Sequence, residues 1–426
     1  MDWGLKRPFL VMFDWPGDRA EVEEARREIC ELVGNLPLAV KLAGSYIASS
    51  GMLASEYLEW LQQTGLKALD FGERREESMT ILMEKSVEQV SERAKEALAV
   101  AGLLALMPFR AEVVAAALEK STIETQQALG ELMNYELLER TGVRYVVSHP
   151  LVHTYARTRM ALESKQLLEM ADFYNRLIRE QSDKGPMGFA RLDEERPHIM
   201  QLIRVCEKKE EWEVVNDLVW SIKEYLDYQG YSVDRVDALE AGVKAAQARG
   251  DRQGEESHLG NLGIAYADLG RVEEAIEIYQ QAVEIAQKIG DRLGEGIGLG
   301  AIGCAFIDLG KSEQAIDYIH QSQAIYQKIG DKGREQKLRG NLGNAYFTLG
   351  QSEQALSCYE QALKFAQEIG DKRDVGHQLG NLGNVNIALG QLAKAKKLQT
   401  SIEDCTGYWR QTRRKRRPER FGSHLF

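Results

Sequence analysis

The chain has 426 residues and a formal net charge of −11. That is length for two or three separately cored domains and the wrong sign for nonspecific nucleic-acid binding by the chain as a whole. Five scattered cysteines without C-x-x-C spacing exclude a disulfide framework or a zinc site and imply reduced thiols. The longest apolar run, ALAVAGLLALMPF at 97–109, falls short of the roughly 20 residues a spanning helix needs, so a cytoplasmic chain without membrane or metal is expected.

Only 8 prolines among abundant Ala, Glu, Leu and Gln favour helix. The first readable junction is ELVGNLPLAVKLAG, residues 31–44, which follows a helix EVEEARREICEL. Pro37 stands just inside a helix start, where the first-turn N–H groups have no intrahelical partner to lose. From residue 77 a long amphipathic-to-apolar helical region, ESMTILMEKSVEQVSERAKEALAVAGLLALMPF, runs to a stop near Pro108. RAEVVAAALEK is a second helix, and STIETQQALGELMNYELLER is a third, with Ser121 or Thr122 as cap and Glu124 in its first turn. A hairpin follows: Leu137 and Leu138, a turn at Thr141–Gly142, then Val143, Tyr145, Val146 and Val147. Three helices and a β-wing make a winged helix, and SHPLVHTYAR opens another helix at Pro150.

GNLPLA, a winged helix and SHPLVHTYAR in this order resemble the C-terminal half of the NB-ARC module of STAND-class signalling NTPases. The resemblance implies that Pro37 packs against an adenine and that His149, at the place of the histidine in the Met-His-Asp motif, contacts the β-phosphate of ADP. Ser148 and Pro150 depart from that motif; bacterial members often read His-Pro-Leu-Val there. DEERPHIMQLI, residues 193–203, resembles the linker to a helical-repeat sensor. The family's phosphate-binding loop and magnesium-binding acidic strand belong upstream of Pro37, and the residues ahead of EVEEARREICEL are too few to hold them. The expectation is a fragment, a split product or a chain that has shed its NTPase half, with no cofactor bound by this chain alone and ADP or ATP bound in a complete family member.

The second half repeats itself. Gly-Asp recurs at Gly250, Gly290, Gly330 and Gly370, and a second glycine ladder stands midway at Gly270, Gly310, Gly350 and Gly390. Each unit reads as two helices joined by glycine turns, and Ala275, Ile276, Tyr279, Ala282, Val283 and Ala286 mark one apolar face. Leu262, Gly263, Tyr266, Ala275, Tyr279 and Ala282, and again Leu342, Gly343, Tyr346, Ala355, Tyr359 and Ala362, resemble the tetratricopeptide repeat. The 40-residue period is similar to the longer variant of kinesin light chains. Such pairs bury their apolar stripe only by stacking into a solenoid. The units at 210–249 and 370–408 lose most signature residues; in the last, Asn386, Gln399 and Ile402 replace them.

Asn261, Asn341, Asn344, Asn381 and Asn384 recur on the first helix of the units. Asparagine is a mediocre helix former, and its amide both donates and accepts, which suits a peptide backbone. The recurrence points to a peptide-binding groove, with Lys337, Arg339 and His377 as neighbours that select sequence. A solvated or capping role is the competing reading of the asparagines. AFIDLGKS (305–312) matches a loose phosphate-loop pattern and GLGAIG (298–303) a dinucleotide pattern, but the repeat already accounts for both sets of glycines. No catalytic constellation is found, so no enzyme is expected. The tail RQTRRKRRPER, residues 410–420, holds seven basic residues and one acid. It reads as a solubilising or frameshifted end in preference to a nucleic-acid or localisation patch, because it joins no periodic element.

The expected fold is mainly α, a winged-helix domain followed by a right-handed α-solenoid of tetratricopeptide repeats. Its parts are an NB-ARC remnant at 1–76, the winged helix at 77–165, a helical linker at 166–209, the repeats at 210–408 and a basic disordered tail at 409–426. The function expected is a protein-interaction scaffold or sensor of STAND type, with a protein or peptide in the groove and oligomerisation through the missing N-terminal half. One alternative is an ADP/ATP switch whose phosphate loop is supplied separately. The other is a winged-helix transcription regulator, disfavoured because residues 122–140 hold four glutamates and one arginine, the wrong sign for phosphate contacts.

Overall fold

Hydrogen-bonded helices and one small hairpin account for nearly all of the ordered backbone in the computed structural model, which describes residues 19–33, 36–63, 75–160 and 162–398. The basic tail, Gln399, Ile402 and Gly34 of the proline motif lie outside them. The chain divides into two units, Met1–Asp183 with Ala190–Val214, and Lys184–Phe189 with Val215–Phe426. Among the described residues no helix is long and apolar enough to cross a membrane.

The first unit opens with α1 (Arg19–Leu32), α2 (Pro37–Ser50), α3 (Ala54–Gln63) and α4 (Arg75–Glu88). Helix α2 starts at Pro37 and stops at Gly51, whose φ of 71° terminates it in the left-handed region. Ala39, Leu42, Ala43, Tyr46 and Ile47 make its buried stripe, and the Tyr46 ring lies 5.2 Å from that of Tyr57 in α3.

The long helical region expected up to Pro108 is two helices. Ser91 breaks it: its Oγ accepts from Ala94 N at 3.3 Å and donates to Glu131, so it caps α5 (Glu92–Leu103) instead of continuing α4. Helix α5 ends ahead of Pro108 because Phe109 enters the hairpin ladder, exchanging backbone hydrogen bonds with Tyr145 at 2.7 and 2.8 Å. Helices α6 (Ala111–Ala117) and α7 (Thr122–Asn134) follow, and Ser121 with Glu124 forms a complete capping box on α7. Strands β1 (Leu138–Thr141) and β2 (Arg144–Val147) pair antiparallel in the register Leu138 to Val147, around Gly142 at φ 64°. Helix α8 (Pro150–Arg159) packs on α5 at a point where a Cβ on Gly102 would sit 2.7 Å from that of Ala156. Helix α9 (Ser164–Ser182) packs on α6, and α10 (Pro186–Lys208) crosses into the unit at Ala190.

The first unit has a buried polar knot. Glu195 of α10 is 1% exposed, with Arg191 at 3.4 Å and Arg144 at 3.9 Å. Those approaches are too long to offset the lost water, so burial pushes the Glu195 carboxyl up to about 7. His198, fully buried, lies 3.2 Å from the Pro108 carbonyl, and burial lowers its imidazole to about 4.

The second unit runs through α11 (Trp212–Gln229), α12 (Ser232–Arg249), α13 (Arg252–Asp268), α14 (Val272–Ile289), α15 (Arg292–Asp308), α16 (Ser312–Ile329), α17 (Lys332–Thr348), α18 (Ser352–Ile369) and α19 (Lys372–Ala388). Residues 392–398 begin one more helix. From α12 to α19 each helix packs on the next. Both glycine ladders end helices in the left-handed region, with φ between 68° at Gly250 and 78° at Gly330. The Gly-Asp turns are Schellman motifs, with Asp251 N reaching back to the Ala246 carbonyl at 2.9 Å. Asp251, Asp291, Asp331 and Asp371 then cap the following helices with their side chains. Across three of these turns a glutamine amide donates to a glutamate in the next helix: Gln247 to Glu255 at 2.9 Å, Gln287 to Glu295 at 3.0 Å and Gln327 to Glu335 at 3.1 Å. Within a repeat the helices touch through glycine: a Cβ on Gly343 would meet the Tyr359 ring at 2.6 Å.

Candidate functional site

Each odd-numbered helix from α13 to α19 leaves one face uncovered. On α13 it carries Ser257, Asn261, Ile264 and Asp268; on α15, Ile297, Ala301, Cys304 and Asp308; on α17, Lys337, Asn341, Asn344 and Thr348; on α19, His377, Asn381, Asn384 and Ala388. All are half-buried or exposed, and the spacing i, i+4, i+7, i+11 keeps them on one stripe. Neighbouring stripes are held in register by side-chain bonds between residues 37 apart. Asn341 Nδ2 donates to Cys304 Sγ at 3.0 Å, and Asn381 Nδ2 lies 3.4 Å from Asn344 Oδ1.

The asparagines singled out in the sequence are therefore in one face but not in one state. Asn344 Oδ1 also accepts from the Tyr359 hydroxyl at 2.7 Å, which ties it to the second helix of its own repeat. Asn261 Nδ2 donates to the Ser257 carbonyl at 2.7 Å. Lys337 and Asn384 are exposed. Arg339 lies against Glu335 at 3.2 Å and also bonds Gln361. Cys304 and the aspartates of the last row were not singled out; the offset of 37 between bonded rows leads from Asn341 to Cys304, and the stripe spacing leads on to Asp268 and Asp308. Burial, then the charge of Asp308, pushes the Cys304 thiol up to about 11, so it is a neutral acceptor here. Burial also raises the Asp308 carboxyl, whereas Asp268 pairs with Arg235 at 2.7 Å.

In the first unit, Pro37 is exposed at the start of α2, and His149 is the N-cap of α8, its Nδ1 accepting from Leu151 N at 3.1 Å. Their side chains do not meet, but their segments share Glu136. The Glu136 carboxylate takes Lys41 of α2 at 2.8 Å, and its carbonyl takes the Ser148 hydroxyl at 2.6 Å. Partial burial pulls the Lys41 ammonium down, and its bonds to Glu136 and Glu139 outweigh that and hold it above the usual range. His153 is a packing residue, buried with Nε2 2.8 Å from the Leu104 carbonyl. A hollow between α5 and α7 is lined by Glu92, Glu124 and Glu131 against one arginine, Arg93; neither Pro37 nor His149 lines it. The two glycine patterns in the repeats are helical: 298–303 lies inside α15, and Gly310 is the turn before α16.

A family model of the tetratricopeptide repeat matches residues 255–328 and 335–404. No curated protein matches the chain. Among solved structures, BtubC from P. vanneervenii is similar at 17% identity and TM-score 0.42, over 62% of this chain and 98% of that one. A putative kinesin light chain from Podosopora anserina, with nearly identical TPR-like repeats, is similar at 19% identity and TM-score 0.39, over 47% of this chain and 97% of that one. A signal transduction ATPase with numerous domains, carrying a tetratricopeptide repeat sensor, from Pyrococcus horikoshii is similar at 19% identity and TM-score 0.37. That match covers 88% of this chain, which spans 60% of the other's length. The stacked helix pairs, their paired glycine turns and the matched residues together establish that the second unit carries tetratricopeptide repeats over 255–328 and 335–404.

Proposed function

We propose that the uncovered stripes of α13, α15, α17 and α19 form a groove that holds an extended segment of a protein partner, mainly by its backbone. The chain then acts as a scaffold or sensor. The observation that carries this is the amide ladder: Asn341 and Asn381 stand at equivalent positions, each spending a donor on the preceding stripe and keeping its carbonyl oxygen for a ligand N–H. Losing one such bond costs about 0.5–1.5 kcal/mol. Asn341→Ala with Asn381→Ala should weaken a co-purifying partner roughly tenfold, with circular dichroism unchanged. Undiminished binding in a titration of the double variant would remove the amides from the site.

For the first unit we propose the C-terminal half of an NB-ARC module: α5 to α7 with the β1–β2 wing as its winged helix, and Pro37 and His149 as its nucleotide-facing residues. The Lys41–Glu136–Ser148 link, which draws the segments of Pro37 and His149 to one residue, supports this second reading. In that setting the repeats would be the sensor of a STAND-type signalling protein, and an ADP/ATP switch would need a phosphate loop from outside the described residues. Helix α7, with two glutamates and no basic residue, gives the DNA-binding alternative no support.

A further inference from the structure

The groove changes character along its length. In the two later repeats the stripes carry amides, Lys337 and His377, and end in the uncharged Thr348 and Ala388. In the two earlier ones only Asn261 remains of the amides, beside Ser257, with Ile264, Ile297, Ala301 and Cys304 in the other places, and the last row becomes Asp268 and Asp308. Ile264 is 44% and Ile297 47% exposed. By the same offset of 37 that joins Asn341 to Cys304, Ala301 stands beside Ile264, so these side chains make one apolar patch. Asp268 is paired with Arg235; for Asp308 no ion pair or hydrogen bond is formed among the described residues. Its carboxylate stands one helical turn beyond Cys304 on the same stripe and loses part of its hydration to the surrounding protein. Burial raises the Tyr279 phenol, and the charges of Cys304, Asp268 and Asp308 add to this while Arg235 opposes it.

Resting on the groove reading above, we infer that this early half selects an extended partner segment in which a basic residue stands two positions from an aliphatic one. The spacing follows from geometry. Cys304 and Asp308 are four residues apart on a helix, about 6 Å along its axis. Side chains on the same side of an extended segment repeat every two residues, about 6.7 Å. Where the segment follows the axis of α15, an aliphatic side chain seated on Ile264, Ala301 and Cys304 therefore sets the next same-side residue over Asp308, where a cation supplies a counter-charge. The stem of a lysine or arginine continues the apolar contact.

The test uses the full chain and a positional library of N-acetylated, C-amidated heptapeptides, read by fluorescence polarisation, so that peptide termini contribute no charge. Sublibraries with Lys or Arg two residues from Leu, Ile or Val should bind most tightly, and this preference should shrink as salt rises. Asp308→Asn should lower the affinity of those sublibraries about fivefold and leave neutral ones unchanged, and Asp308→Lys should invert the preference toward acidic peptides. Asn341→Ala with Asn381→Ala should weaken every sublibrary alike. Equal binding of basic and neutral sublibraries, or a basic preference unmoved by Asp308→Asn, would overturn this inference and leave the groove standing. Absence of binding by any sublibrary would overturn both.

Discussion

Gly343 and Gly260 lie in equivalent helices, and their substitution by alanine should have opposite signs. In a helix interior alanine is favoured over glycine by about 0.5–1 kcal/mol. At Gly260 nothing lies within 4 Å of the added Cβ, so Gly260→Ala should gain that amount. At Gly343 the Cβ would sit 2.6 and 2.8 Å from two carbons of the Tyr359 ring, and that ring is 2% exposed and bonded through its hydroxyl to Asn344. It cannot swing away without breaking that bond. Overpacking of this kind costs about 1–3 kcal/mol, so Gly343→Ala should lose about 1–2 kcal/mol net. In a Tyr359→Ala background the same change should become neutral or favourable. Two units make a global melt hard to read as two-state. The assay is therefore hydrogen exchange in peptides spanning α17 and α18 of the full chain, which reports local opening. Equal protection in Gly343→Ala and Gly260→Ala, or no coupling to Tyr359, would show that the helices of this repeat do not meet at Gly343.

Glu195 and His198 set a pH profile for the first unit. Glu195 keeps its proton in the fold up to about 7 but releases it near 4.5 when unfolded, so its contribution is present at low pH and is lost as pH rises through 7. His198 works the other way: unfolded it takes a proton near 6.5, folded only near 4, so stability is lost as pH falls through that window. Stability should rise by about 0.5 kcal/mol from pH 8 to 6 and then level off as the two offset each other. Denaturant titrations of Glu195→Gln should lack the rise, and an identical profile would assign it elsewhere. Isothermal calorimetry of the chain with ADP should show at most millimolar affinity, because the backbone donors of a phosphate loop supply most of the anion binding; micromolar binding would contradict that.

Local signals wrote most of the repeat architecture into the sequence. The left-handed turns at Gly250 to Gly390, the aspartate caps and the Tyr279 and Tyr359 contacts each depend on residues a fixed distance apart, so periodicity exposes them. Ser121 and Glu124 were legible for the same reason. The break at Ser91 was not, because Glu131, which holds the serine hydroxyl, comes from another helix. The groove asparagines could be placed on a face, but their partners could not. Cys304 takes an Asn341 hydrogen bond only after neighbouring repeats have stacked, and the Tyr359 hydroxyl reaches Asn344 only once the two helices of its repeat have paired. The burial of Glu195 is also invisible in DEERPHIMQLI, where it looks like one of several solvated charges.

The glutamine-to-glutamate bonds across the Gly-Asp turns end at the third turn. At the fourth, the position of Glu255, Glu295 and Glu335 is held by Val375, which offers no acceptor side chain. An array in which each repeat touches only its neighbours fails at its weakest seam, as a zip opens from the tooth that does not catch. Counted by this bond alone, the seam between α18 and α19, next to Asn381 and His377, is the least tied of the four. Release of α19 would take one rung of the amide ladder with it and leave the apolar, acidic half of the groove assembled, so the two halves could be engaged and released by a partner in succession.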